Sequence, residues 1–214
     1  INQTLTVRLS DSQPMAPIAS VEEVLFKECS SEIGLDYSHV ENKFDDFEFE
    51  VLLPHKNSTL GPNVATGDVN GDGLEDVFVG GAIEQAGRLF IQNADGLFAP
   101  IPGPWIADGR KEDMGALFFD ADNDGDNDLY VVSGGNEYKA NSIAYKDRLY
   151  LNEGGNKFVK SEDAIPTDMH VSGKIVEPCD YDNDGDVDLF VGGRLTPSKY
   201  PFALNSVAGL FMSP

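Results

Sequence analysis

Basic side chains are scarce in this 214-residue chain: 15 Lys and Arg stand against 37 Asp and Glu, a formal net charge of -22. So large an acidic excess repels phosphate and excludes nucleic acid as a partner class. Cysteine is nearly absent. Cys29 and Cys179 allow one disulfide or two free thiols, but no disulfide framework. The three histidines, His39, His55 and His170, lie far apart with no metal-ligand spacing between them. No apolar run approaches the ~20 residues of a membrane span, so membrane insertion is not expected. The opening INQTLTVRLS has no basic-then-apolar leader. There is also no Gly-x-Ser-x-Gly elbow, no phosphate-cradling loop and no dinucleotide fingerprint. The common catalytic constellations are therefore missing, and the chain is not expected to be an enzyme.

What the chain does have is a core and a repeat. Apolar residues make up 41% of it, with 13 Phe and 7 Tyr, enough for a packed interior. The acids are not evenly spread: fourteen of the 37 fall within Asp68 to Asp76, Asp120 to Asp128 and Asp180 to Asp188. One divalent cation per cluster would add six charges and move -22 to -16. The acidity thus reads partly as site chemistry and partly as solvated surface.

Around these clusters three segments run in parallel, Val64 to Gly81, Ala116 to Ser133 and Ile175 to Gly193, their first aspartates 52 and 60 residues apart. Each cluster is entered from a short Val-, Phe- or Ala-rich stretch. Each is left by a near-continuous apolar run: Asp76-Val-Phe-Val, Asp128-Leu-Tyr-Val-Val or Asp188-Leu-Phe-Val. Such runs suit strands buried on both faces. A further strand follows at Gly87 to Asn93 and at Asp147 to Asn152. Turns come next at Asn93 to Gly96 and Asn152 to Gly155, and then an aromatic restart at Phe98 and Phe158. The repeat unit reads strand, acidic loop, strand, strand, turn, strand. The predicted fold is all-β, about three blades of a β-propeller with the loops set between strands.

The division that follows is 1–20 as the tail of a preceding domain or linker, 21–60 as a lead-in, and 61–110, 111–170 and 171–214 as repeats one to three. The third is incomplete, since the chain stops at Leu210 to Pro214 where outer strands are due. Thr4 to Leu9 can form a strand, and Val21 to Ser31 has a short helical pattern with Ser20 as N-cap. Phe44 to Pro54 mixes aromatics and acids without periodicity.

The loops have the pattern of a hard-cation site. Ligand candidates recur at positions one, three, five and nine: Asp68, Asn70, Asp72 and Asp76; Asp120, Asp122, Asp124 and Asp128; Asp180, Asp182, Asp184 and Asp188. Position seven, Leu74, Asp126 or Asp186, can offer its backbone carbonyl, and the Gly at position six allows the sharp turn. Oxygen-only ligands at ~2.3–2.6 Å suit Ca²⁺, about three ions in all. An EF-hand would need Glu at position twelve and flanking helices; that position is Val79, Val131 or Val191, inside an expected strand. Asp, Asn and Gly also favour plain turns, but a plain turn needs no carboxylate at alternate positions, three times over.

These loops, each followed by an apolar strand and Gly80-Gly81, Gly134-Gly135 or Gly192-Gly193, resemble the FG-GAP and VCBS repeats, which include the calcium-bearing blades of the integrin α-subunit propeller. Leu53-Pro-His-Lys-Asn-Ser, Gly61-Pro, Val132-Ser-Gly-Gly-Asn-Glu-Tyr and Gly192-Gly-Arg-Leu are similar to secreted bacterial repeat proteins related to cartilage acidic protein. Asn2 to Leu9 resembles the tail of a domain of the ASPIC/UnbV kind. The resemblance implies a seven-bladed propeller, of which this chain is a fragment with open edges prone to self-association. It also implies Ca²⁺ in the loops and a secreted or cell-surface setting. The role implied is a calcium-binding module presenting a surface to a protein or glycan; a structural spacer or part of a polysaccharide-active enzyme are the alternatives. Trp105 and Tyr138 can line a sugar site or pack a blade, and His55 reads as a packing or capping residue.

Overall fold

Val, Phe, Tyr and Leu concentrate on either side of each acidic loop, and these residue types favour the pleated, half-buried geometry of a sheet. In the computed structural model, which describes residues 25–166, 170–202 and 208–211, they form three antiparallel sheets in chain order. The first holds β1 (Val64–Gly67), β2 (Asp76–Val79), β3 (Arg88–Gln92) and β4 (Phe98–Ile101). The second holds β5 (Glu112–Phe119), β6 (Asp128–Gly134), β7 (Arg148–Asn152) and β8 (Phe158–Ser161). In the third, β10 (Asp188–Leu195) lies between β9 (Ser172–Cys179) and β11 (Ala208–Phe211). The expected order of strands and turns is present in the first two sheets. In the third, expected to stop where outer strands are due, β11 takes the third-strand place beside β10.

Register explains why the three loops look alike. The closing aspartate of each loop pairs with the residue just before its first: Gly67 with Asp76, Phe119 with Asp128, Cys179 with Asp188. All three acidic loops therefore leave the sheets at the same end of their strands. The Gly-Gly segments leave at the other.

The sheets pack through their first strands, β1 beside β5 and β9 beside β5 and β6. Strand β6 is buried along its whole length, and its alternation divides its side chains between two cores. Leu129 and Val131 join Ala65, Phe78, Leu89, Trp105, Tyr150 and Phe158 between sheets one and two. Tyr130 and Val132 join Val176, Leu189 and Val191 between sheets two and three. Of the three strands that leave the acidic loops, β6 is the one buried on both faces. In β2 the buried residues are Asp76 and Phe78, and in β10 Phe190 is 44% exposed between buried Leu189 and Val191. Each of those strands has one neighbouring sheet among the described residues.

The lead-in crosses the Gly-Gly end. Tyr37 Oη donates to the Gly80 carbonyl at 2.7 Å, Gln85 Nε2 to the Ser38 carbonyl at 2.7 Å, and Lys174 Nζ to the Leu60 carbonyl at 2.9 Å. Its helices are single turns, α1 (Ser30–Ile33) and α2 (Asp46–Phe49). The helix expected over Val21 to Ser31 is not formed at residues 25–29, and Ser20 to Val24 lie outside the described residues, as does the Thr4 to Leu9 strand. Helix α1 buries no residue and Cys29 gives it no side-chain cap, so neither packing nor capping extends it. Among the described residues no helix is long and apolar enough to cross a membrane.

Candidate metal centres

Each loop is shaped first by its own side chains. The position-five carboxylate accepts from the position-seven N–H in all three: Leu74 to Asp72 Oδ1 at 2.9 Å, Asp126 to Asp124 Oδ1 at 3.1 Å and Asp186 to Asp184 Oδ1 at 3.0 Å. These are Asx turns, which wind the chain without help from the sheet. The position-one carboxylate collects the N–H groups of the winding. Asp68 accepts from Gly71 and Gly73 at 2.8 Å each, and Asp120 from Asp124 at 3.2 Å and Gly125 at 3.0 Å. Positions four and six take left-handed backbone in every loop: Gly71, Asn123 and Asn183, then Gly73, Gly125 and Gly185 at φ of 84 to 100°. Asn and Gly are the residues that adopt this conformation most readily.

The ninth position differs in kind. Asp76, Asp128 and Asp188 are 0%, 0% and 1% exposed. Their Oδ2 atoms accept from the position-two N–H of Val69, Ala121 and Tyr181 at 3.0, 2.8 and 2.7 Å. The Oδ1 atoms of Asp76 and Asp128 accept from Gln92 N–H at 2.8 Å and Asn152 N–H at 2.7 Å, at the ends of β3 and β7. In the first two loops the closing aspartate thus ties the loop to the third strand of its own sheet. Burial pushes the Asp128 carboxyl up to about 6 against these two bonds, with Asp122 and Asp126 pushing the same way. Burial raises Asp76 as well. Asp68 is held below the usual carboxylate range, first by the Gly73 N–H.

Positions one, three and nine converge. One carboxylate oxygen each from Asp120, Asp122 and Asp128 lies within 4.8 Å of the others, and so for Asp180, Asp182 and Asp188. An ion bonded at ~2.4 Å to two oxygens spans at most about 4.8 Å between them, so the spacing fits a Ca²⁺-sized centre. The equivalent trio in the first loop contains Asn70, an amide donor, between Asp68 and Asp76. Asp72, Asp124 and Asp184 stand outside the trios, bonded to the position-seven N–H groups. At position seven Leu74 has no donor side chain, Asp126 Oδ1 is buried without a partner and Asp186 Oδ1 accepts from Asn123 Nδ2 at 3.2 Å. An all-oxygen donor set with one buried carboxylate per loop fits a hard cation.

The loops are also neighbours. Asn127 Nδ2 donates to the Asp68 carbonyl at 2.8 Å and Asn152 Nδ2 to the Val69 carbonyl at 2.7 Å. Nothing in the spacing of the repeats indicates these bonds, since the partners stand 59 and 83 residues apart.

Other sequence candidates settle differently. Trp105 is 1% exposed and meets Phe78, Tyr150 and Phe158 edge-on, so it packs the core. Tyr138 donates to the Arg110 carbonyl at 2.8 Å and stacks edge-on with Tyr145. His55 lies 3.3 Å from Arg194 Nη2. Cys29 and Cys179 are both free. His39, which sequence spacing left isolated, sits 3.0 Å from Glu41 Oε1.

No curated protein sequence matches the chain. The FG-GAP-like repeat family matches residues 68–131 and 120–191, together more than half of it, and each match runs from one acidic loop into the strand that follows the next. Repeats of this family are typically extracellular and non-catalytic. On this match, and on three sheets whose loops share one register, the chain belongs to the FG-GAP-like repeat family.

Proposed function

We propose that the chain is a calcium-binding, non-enzymatic repeat module of an extracellular protein, its sheets blades of a β-propeller that offers a surface to a protein or glycan partner. The observation that carries the reading is the threefold recurrence of one loop: the same ligand offsets, the same two left-handed residues and the same buried closing aspartate. Asp68, Asn70, Asp72 and Asp76, and their equivalents in the other loops, would hold one ion each, with the carbonyls of Leu74, Asp126 and Asp186. Bound Ca²⁺ supplies charge neutralisation rather than reaction chemistry here. It offsets the repulsion among carboxylates brought within 4.8 Å of one another. Exposed loops of this kind reach ~10⁻⁴–10⁻³ M affinities, which are filled at extracellular calcium levels and not in cytosol. Packing of each sheet's first strand against the next supports the blade arrangement. The narrower kinship with ASPIC/UnbV-associated bacterial proteins rests on the Leu53 to Ser58 and Gly192 to Leu195 motifs.

Calorimetric titration of the chelator-treated chain with Ca²⁺ tests this. About three equivalents are expected, falling by one in Asp122→Asn, Asp182→Asn or Asn70→Ala. No heat and no uptake in equilibrium dialysis would contradict the proposal.

A further inference from the structure

The end of the sheets remote from the acidic loops gathers a second set of ionisable groups, with different chemistry. His39 and Glu41 come from the lead-in, and Glu112 is the first residue of β5. The eight residues of β5 separate Glu112 from the loop at Asp120, roughly 26 Å at ~3.3 Å per residue. One donor atom from each of His39, Glu41 and Glu112 lies within 4.8 Å of the others. A Cβ on Gly61 would stand 3.2 Å from Glu112 Oε1 and 3.5 Å from His39 Cε1, so both side chains pack against Gly61.

Unsatisfied atoms mark the place. Glu112 is 1% exposed; its Oε2 accepts from Ile83 N–H at 3.1 Å, while its Oε1 is buried with no partner. Glu41 Oε2 and His39 Nδ1 are also buried and unpartnered. Glu137, after β6, turns Oε2 to Asn136 N–H at 2.7 Å and leaves Oε1 unpartnered. A buried polar atom left without a partner is destabilising, and four of them occur here. The neighbouring cations are engaged elsewhere. Arg148 is held by Asp113 at 2.7 Å, and Lys174 donates to the Leu60 carbonyl. Burial, then Glu137 and Glu41, push the Glu112 carboxyl up to about 8; burial first pushes Glu137 up to about 7. Among the described residues no Lys or Arg is bonded to Glu41, Glu112 or Glu137.

We infer that His39, Glu41 and Glu112 form a second metal site, built for a divalent transition ion such as Zn²⁺ and distinct from the acidic loops. One imidazole nitrogen with carboxylate oxygens suits Zn²⁺ or Mn²⁺, whereas Ca²⁺ wants six to eight oxygens. His39 Nε2 and Glu41 Oε1 stand 3.0 Å apart, the separation of two neighbouring ligands each bonded at ~2.0–2.2 Å to one ion, and the tautomer protonated at Nδ1 leaves the Nε2 lone pair free to ligate. Glu137 stands beside the trio to balance charge or accept from a bound water. An open hollow of about 320 Å³, lined by Glu41, Asn42 and Ile83 among others, adjoins the cluster on the solvent side.

The test is Zn²⁺ titration of the whole chain at saturating Ca²⁺, so that the loops are already filled. One equivalent of Zn²⁺ is expected, with affinity reduced at least tenfold in both Glu112→Gln and His39→Ala. His39 is partly exposed, so its variant keeps the test decisive if the Glu112 variant fails to fold. Absence of Zn²⁺ uptake, uptake displaced by millimolar Ca²⁺, or uptake unchanged in His39→Ala would overturn the inference.

Discussion

At the scale of single residues, Asp122 and Asp128 separate two roles that a ligand list would merge. Asp128 is fully buried and accepts from two backbone N–H groups, whereas Asp122 is exposed and makes no such bonds. Asparagine at 128 can accept only one of those two N–H groups and turns an N–H₂ towards the other. With chelator present, Asp128→Asn should therefore lose about 1–3 kcal/mol in urea unfolding, and Asp122→Asn should stay within about 0.5 kcal/mol. Both should shrink the stabilisation that Ca²⁺ adds. A neutral Asp128→Asn in chelator would contradict the structural half of this account. The alternate spacing of the loop carboxylates was legible in the sequence because a tightly wound loop converts spacing directly into convergence. The reach of Asp76 to Gln92 and of Asp128 to Asn152 was not, since 16 and 24 residues and a strand pairing intervene. Nor was the meeting of His39 with Glu112, which depends on how the lead-in lies across the sheets.

Among the elements, β6 and the one-turn helix at Pro104–Asp108 hold the molecule together. The apolar run Leu129 to Val132 announced a strand buried on both faces, and its alternation feeds both cores. The equivalent runs in β2 and β10 read the same in sequence yet cover one face each, because a strand's residues do not say how many sheets flank it. Trp105 is the case where sequence left two readings open. An aromatic in a Pro-flanked segment serves a ligand or a core equally well, and only the ring contacts decide. Its centroid lies 5.8 Å from that of Phe78 in β2, 5.9 Å from Tyr150 in β7 and 5.5 Å from Phe158 in β8. It therefore bridges the first two sheets. Trp105→Ala should cost about 3–5 kcal/mol in chemical denaturation, with the two sheets unfolding together. Phe26→Ala, at a residue 90% exposed, should change little. A loss below about 1 kcal/mol at Trp105 would mean that the sheets are not coupled through this ring.

For the whole molecule, charge and topology act together. Three acidic loops share one end of the sheets, and the fourteen acids they carry, with no Lys or Arg among them, make that end strongly repulsive without cations. The sheets bring the loops close enough for Asn127 and Asn123 to bridge to their neighbours, so order in one loop bears on the next. The repeat period made this architecture readable in the sequence, whereas the crossing of the lead-in over the opposite end follows from tertiary contacts alone. The most direct test of the central claim is a thermal melt of the chelator-treated chain with and without Ca²⁺. At about 100 times the dissociation constant, each filled loop adds about 2.7 kcal/mol. The melting temperature should climb clearly with Ca²⁺ and much less with Mg²⁺. An identical melt in Ca²⁺ and in chelator would mean that the loops are acidic turns and that the calcium account is wrong.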